Sequence, residues 1–68
     1  MNVSVFGLGY VGCVTVGCLS KMGHNIIGVD TNTEKLKIIN KGKSTVVENG
    51  LNSLIRDGVK RKLISTTS

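Results

Sequence analysis

A five-residue apolar run, Asn2-Val3-Ser4-Val5-Phe6, breaks into Gly7-Leu8-Gly9-Tyr10-Val11-Gly12, and a second apolar run ends in Asp30, eighteen residues beyond Gly12. Few folds accept that order. A short β-branched stretch halted by glycines is a buried strand rather than a helix. The small and apolar residues from Val11 to Met22 then form a helix buried on several sides, with Gly23 as its stop. Strand, GxGxxG, helix, strand and acid in succession is the arrangement that holds a dinucleotide. Within it, Gly7 permits the tight turn, Gly9 lets a pyrophosphate approach the backbone with no Cβ in the way, and Gly12 lets the helix pack close to the strand. The amides at the helix start, at Tyr10 and Val11, face the phosphates at the positive end of the helix dipole. Asp30 is placed to accept hydrogen bonds from the adenosine ribose and to repel the extra phosphate of NADP. Residues 31 and 32 are Thr and Asn rather than Arg, so the expected cofactor is NAD. The competing reading, a glycine-rich turn and a strand-end aspartate with no ligand, leaves the joint spacing unexplained.

The rest of the chain continues the alternation. Asn25 to Val29 is a second strand. Thr31-Asn32-Thr33-Glu34 fits a capping box, with the Thr31 hydroxyl and Glu34 carboxylate satisfying free amides, so a helix is expected from about residue 32. It runs to about Asn40, burying Leu36 and Ile39 with help from Ile38, with Lys35, Lys37 and Lys41 toward solvent and Gly42 closing it. After a connecting segment, Lys43 to Val47, a third and shorter helix carries Leu51, Leu54 and Ile55 until Asp57-Gly58 ends the pattern. Leu63 to Thr67 is the last strand. The order β-α-β-α-α-β predicts the α/β class: a Rossmann-like, doubly wound parallel sheet with right-handed crossovers and helices covering its faces. In such a sheet the first strand is central, with strands two and three on one side. Only that first half is present, which leaves the first strand as an open edge. The expectation is therefore a partial dinucleotide-binding domain over residues 1–68, the amino-terminal piece of a longer protein.

Composition removes other classes. At 68 residues and 7.2 kDa there is room for no more than one small domain, and 40% hydrophobic residues exclude a disordered tail. Cys13 and Cys18 are five apart, a helical separation of at least ~7.5 Å along the axis, beyond the usual disulfide reach. They are expected as free thiols in a reducing compartment, and they lack the spacing of a zinc site, so no metal is expected. No apolar stretch reaches the ~18 residues of a membrane span and no basic region precedes the first apolar run, so a cytoplasmic address follows by default. The net charge of +5 would suit nucleic acid, but the cations are spread over several elements and only one Tyr and one Phe are available to stack on bases. Neither nucleic acid nor membrane is expected as a partner. Gly42-Lys43-Ser44 resembles the end of a P-loop, yet Lys37 occupies the place of its first glycine and no strand precedes it. His24 has no second ligand at metal spacing and reads as a turn residue.

Five segments together carry a resemblance: FGLGYVG at 6–12, GCLSKMGH at 17–24, IIGVD at 26–30, INKGKS at 39–44 and VVExGL at 46–51. They resemble the amino terminus of the nucleotide-sugar 6-dehydrogenases, the group that includes UDP-glucose and GDP-mannose dehydrogenases. The GCLS segment and the phenylalanine before the glycines lean toward the GDP-mannose enzymes. The resemblance implies an NAD-dependent oxidation of a sugar C6 alcohol to a carboxylate through two hydride transfers and a cysteine thioester that water hydrolyses. It places that nucleophile far downstream of this chain, so neither Cys13 nor Cys18 takes the role and no catalytic residue is expected here. It also implies that Lys35, five residues beyond Asp30, faces the adenosine end of the cofactor, that the parent enzyme is a homo-oligomer, and that its product feeds an acidic polysaccharide.

The sequence departs from the family pattern where proline commonly follows the serine of GKS and the glutamate of ExGL; Thr45 and Asn49 stand there, and a looser connection is expected. Ser68 stands where an aspartate is common. The expected function is the NAD-binding portion of a nucleotide-sugar 6-dehydrogenase, GDP-mannose to GDP-mannuronate, inactive as these 68 residues alone. The alternatives are a UDP-glucose 6-dehydrogenase, another NAD-linked dehydrogenase with the same fingerprint, and a non-catalytic nucleotide-binding remnant.

Overall fold

Alternating apolar runs and glycine stops resolve into three strands and three helices in the computed structural model, which describes residues 1–68. In chain order they are β1 (Asn2–Phe6), α1 (Tyr10–Lys21), β2 (Asn25–Val29), α2 (Thr33–Asn40), α3 (Leu51–Lys60) and β3 (Ile64–Thr67). The strands form one parallel sheet in the order β1-β2-β3. The parallel ladder sets Val3 beside Ile26 and Ile26 beside Ile64, with Val5, Gly28 and Thr66 as the next row on the same face.

That face is the covered one. Ile26, Gly28 and Ile64 are buried along it, while Ser4, Ile27 and Ser65 on the opposite face are exposed. The expectation that helices cover both faces is therefore corrected. Both crossovers step the same way across the sheet, from β1 to β2 to β3, and connections of one hand stepping one way land on one side. For the same reason β1 is not the buried strand its apolar residues suggest: Val3 and Val5 are half-buried, Asn2, Ser4 and Phe6 are exposed, and its outer edge has no partner strand.

The core gathers Leu8, Cys13, Val16, Ile26, Ile39, Leu51, Ile55 and Ile64. The buried stripe of α1 is Cys13, Val16, Gly17 and Ser20, narrower than its composition implies, since Val11 and Cys18 are exposed. The one buried polar side chain, Ser20, donates to the Gly17 carbonyl at 2.9 Å. Helices α1 and α3 meet through glycines: a Cβ on Gly17 would lie 2.7 Å from Leu51 Cδ1, and one on Gly58 would run into Ile64 Cδ1 and lie 2.8 Å from Ser20 Oγ. Gly58 therefore marks close packing and does not end α3, which continues to Lys60. The left-handed residue that follows is Lys62, at φ 61°.

The cap of α2 also moves by one residue. Asn32, not Thr31, is the N-cap, its Oδ1 accepting from the amides of Glu34 at 3.0 Å and Lys35 at 3.4 Å. Both residue types cap well. The amide of Asn32 is already held by Asp30 Oδ1 at 2.8 Å, which fixes where the helix begins.

Candidate dinucleotide-binding site

The carboxyl ends of β1 and β2 lie side by side, and the glycine loop and Asp30 leave them together. Gly7 has φ +89°, a left-handed conformation that favours glycine, and its amide donates to the Val29 carbonyl at 2.8 Å. The chain then turns inward at Leu8, whose fully buried side chain packs on Gly28; a Cβ at residue 28 would lie 3.1 Å from Leu8 Cδ2. Gly9 is the N-cap of α1 and supplies no side-chain cap, and no acidic residue stands in the first turn. The first-turn amides are thus free for an anion. Nothing lies within 4 Å of the point a Cβ on Gly9 would occupy, so any larger side chain would fill space that the loop leaves open. At Gly12 the constraint is internal, because a Cβ there would collide with the Gly7 carbonyl oxygen. Gly12 keeps the loop and helix in contact.

Asp30 does more than terminate β2. Its Oδ2 accepts from the Leu8 amide at 2.8 Å and its Oδ1 from the Asn32 amide at 2.8 Å, while Lys35 Nζ stands 4.0 Å from Oδ2. These contacts hold the carboxyl below its usual range, the Leu8 amide being the largest cause, then the Asn32 amide, with partial desolvation opposing them and Lys35 adding to them. An ionised carboxylate has about four lone-pair positions. Two remain after the amides, enough for a pair of ribose hydroxyls. A hollow of about 240 Å³ opens beside it, lined by Phe6, Gly7, Val29, Asp30 and Thr31.

Of the residues singled out from sequence, Gly7, Gly9, Gly12, Asp30 and Lys35 converge here. Lys35 is half-buried and leans on Asp30 rather than extending into solvent. Tyr10 and Val11 begin α1 with exposed side chains, and their backbone amides belong to its uncapped first turn. Tyr10 donates its hydroxyl to Glu48 Oε2 at 2.6 Å, and that hydrogen bond, then the charge of Glu48, raises the phenol above its ordinary value. Sequence reasoning missed Leu8 as the anchor and gave Thr45 and Glu48 no contact with the loop; nothing local marks residues that meet it from 37 and 38 positions away. The segment from residue 43 to 50 is also not loose: Ser44 accepts from and donates to Val46 through its Oγ, its amide donates to Asn52 Oδ1 at 2.7 Å, and Thr45 donates to the Leu8 carbonyl at 2.6 Å.

Strand, glycine loop, uncapped helix and an acid closing the next parallel strand define the first half of a doubly wound dinucleotide-binding fold. All of residues 1–68 match the family model for the UDP-glucose/GDP-mannose dehydrogenase family, NAD binding domain, and the chain belongs to that family. It is 52% identical over 69 residues to GDP-mannose 6-dehydrogenase of Azotobacter vinelandii, covering 100% of this chain and 16% of that protein. It is 43% identical over 56 residues to UDP-glucose 6-dehydrogenase of Bacillus subtilis, covering 82% of this chain and 13% of that one. The crystal structure of a ternary complex of GDP-mannose dehydrogenase from Pseudomonas aeruginosa superimposes with a TM-score of 0.96 at 51% identity, over 98% of this chain and 15% of that chain. The chain thus spans about one-sixth of the length of these GDP-mannose dehydrogenases.

Proposed function

We propose that this chain is the amino-terminal, NAD-binding portion of a GDP-mannose 6-dehydrogenase. The observation that carries the reading is the Asp30 carboxylate bridging the Leu8 and Asn32 amides beside an uncapped α1 and an open Gly9. On this reading the amides of Gly9, Tyr10, Val11 and Gly12 receive the pyrophosphate, with Gly7 shaping the turn. Asp30 accepts the adenosine ribose hydroxyls, and Lys35 supplies positive charge at the adenosine end. Bound NAD supplies the hydride acceptor. The chain's own part is to bind and orient it, since Cys13 is buried on the Leu8 carbonyl and Cys18 lies out on α1. The thioester-forming cysteine, the sugar pocket and the subunit contacts belong to chain beyond residue 68. The unpaired edge of β1 and the one-sixth coverage of the relatives support that reading. Free thiols at both cysteines fit a cytoplasmic enzyme.

Preference for GDP-mannose over UDP-glucose rests on 52% against 43% identity to the respective relatives. The test is NADH formation by the protein purified from its native source, with each nucleotide sugar offered separately. Turnover of GDP-mannose is expected, with none from the 68-residue chain alone. Turnover of UDP-glucose only would move the assignment to the sister enzyme, and NAD consumption with neither would refute it.

A further inference from the structure

The segment between α2 and α3 reaches back across the glycine loop at two points. Thr45 Oγ1 donates to the Leu8 carbonyl at 2.6 Å, and the Cys13 thiol, 2.8 Å from the same hydroxyl, meets that carbonyl at 3.4 Å. Two residues further along the loop, the Tyr10 hydroxyl is held by Glu48 at 2.6 Å. The segment is itself anchored at both ends. Gly42 is buried against α3, where a Cβ would lie 3.2 Å from Arg56 Cα, and Leu51 is buried against Gly17 of α1.

Leu8 is therefore held on both sides, its amide by Asp30 and its carbonyl by Thr45. In a planar trans peptide the carbonyl and the following N–H point in opposite directions. Fixing the Leu8 carbonyl on Thr45 therefore turns the Gly9 N–H away from Thr45. We propose that Thr45 and Glu48 are positioning residues for the anion-receiving amides of the glycine loop, Thr45 through the Leu8 carbonyl and Glu48 through the Tyr10 ring. The role rests on the cofactor reading above.

Tyr10 is the single tyrosine of a chain without tryptophan, so phenolate absorbance reports that hydroxyl alone. The experiment compares the parent with Thr45→Val, Thr45→Ser, Glu48→Ala and Glu48→Gln, measuring NAD and ADP-ribose binding by calorimetry in the full-length protein and the Tyr10 titration in the 68-residue chain, with far-UV circular dichroism as a folding check on both. Thr45→Val and Glu48→Ala are expected to weaken both ligands about three- to ten-fold, the loss of one hydrogen bond. Thr45→Ser and Glu48→Gln, which keep a donor and an acceptor, should bind within about two-fold of the parent. Glu48→Ala should bring the Tyr10 midpoint down to the ordinary ~10, and Glu48→Gln, which removes the charge and keeps an acceptor, should bring it part of the way. Parent-like binding by Thr45→Val and Glu48→Ala would overturn the positioning role, whether or not the Tyr10 midpoint moves, and leave the cofactor reading intact. Failure of the folded full-length parent to bind either ligand would overturn the cofactor reading, and the positioning role with it. If Thr45→Val does not fold, the exposed Glu48 pair decides.

Discussion

Asp30 joins two pieces of local structure through one side chain. Its carboxylate closes the glycine loop through Leu8 and starts α2 through Asn32. Because its acidity is enhanced on folding, the unfolded chain binds more protons between the lowered native value and the ordinary unfolded value near ~3.9. The stabilisation is fully present above that unfolded value and is lost as pH falls through the native one. Asp30→Asn should flatten this acid limb in urea unfolding followed across the acid range, and should weaken NAD binding in calorimetry. A parent-like acid limb in the variant would exclude the amide contacts as its source. Gly12 tests the other half of the loop. Gly12→Ala sets a Cβ against the backbone oxygen of Gly7, which cannot rotate away, so it should cost at least about 1–3 kcal/mol in denaturant unfolding. Gly9→Ala has no such neighbour and is expected to leave stability nearly unchanged while obstructing an anion.

The start of α2 separates two capping residues that stand next to each other. Asn32→Ala should cost about 1 kcal/mol of stability in chemical denaturation, and Thr31→Ala should cost little. The reverse order would restore the capping box expected from Thr31 and Glu34. This one-residue displacement shows which features are legible in sequence. Apolar period, glycine stops and the order of elements are local, and they place all three strands and all three helices within a few residues. The glycine spacing and Asp30 are legible because the motif's chemistry imposes a fixed separation. Contacts between distant segments are not, so Leu8 to Asp30, Thr45 to Leu8 and Tyr10 to Glu48 leave no periodic trace. Gly58 misleads for a related reason. Glycine reads as a helix stop, whereas here it is the gap that admits Ile64 and Ser20. Similarly, an apolar β1 looks buried until the sheet is seen to carry helices on one side only.

At the scale of the molecule, helices cover one face of the sheet and Ile27 stands in the middle of the other, 42% exposed. With Phe6 on the same face and the outer edge of β1 unpaired, the chain offers both an apolar surface and free strand groups to a second copy. Ile27→Lys should reduce concentration-dependent association in sedimentation velocity while changing stability by no more than about 1 kcal/mol. Undiminished association would point to the β1 edge rather than the face. The same asymmetry has a thermal consequence. Only 13 of 68 residues are buried, so unfolding exposes little apolar surface that was not already wet. The heat-capacity increment should fall below the usual ~12 cal/mol/K per residue and the unfolding enthalpy below ~0.7 kcal/mol per residue. Scanning calorimetry should then record a broad, low transition. The stability curve beneath it would be shallow, so that warming loosens these 68 residues gradually instead of melting them at a sharp temperature.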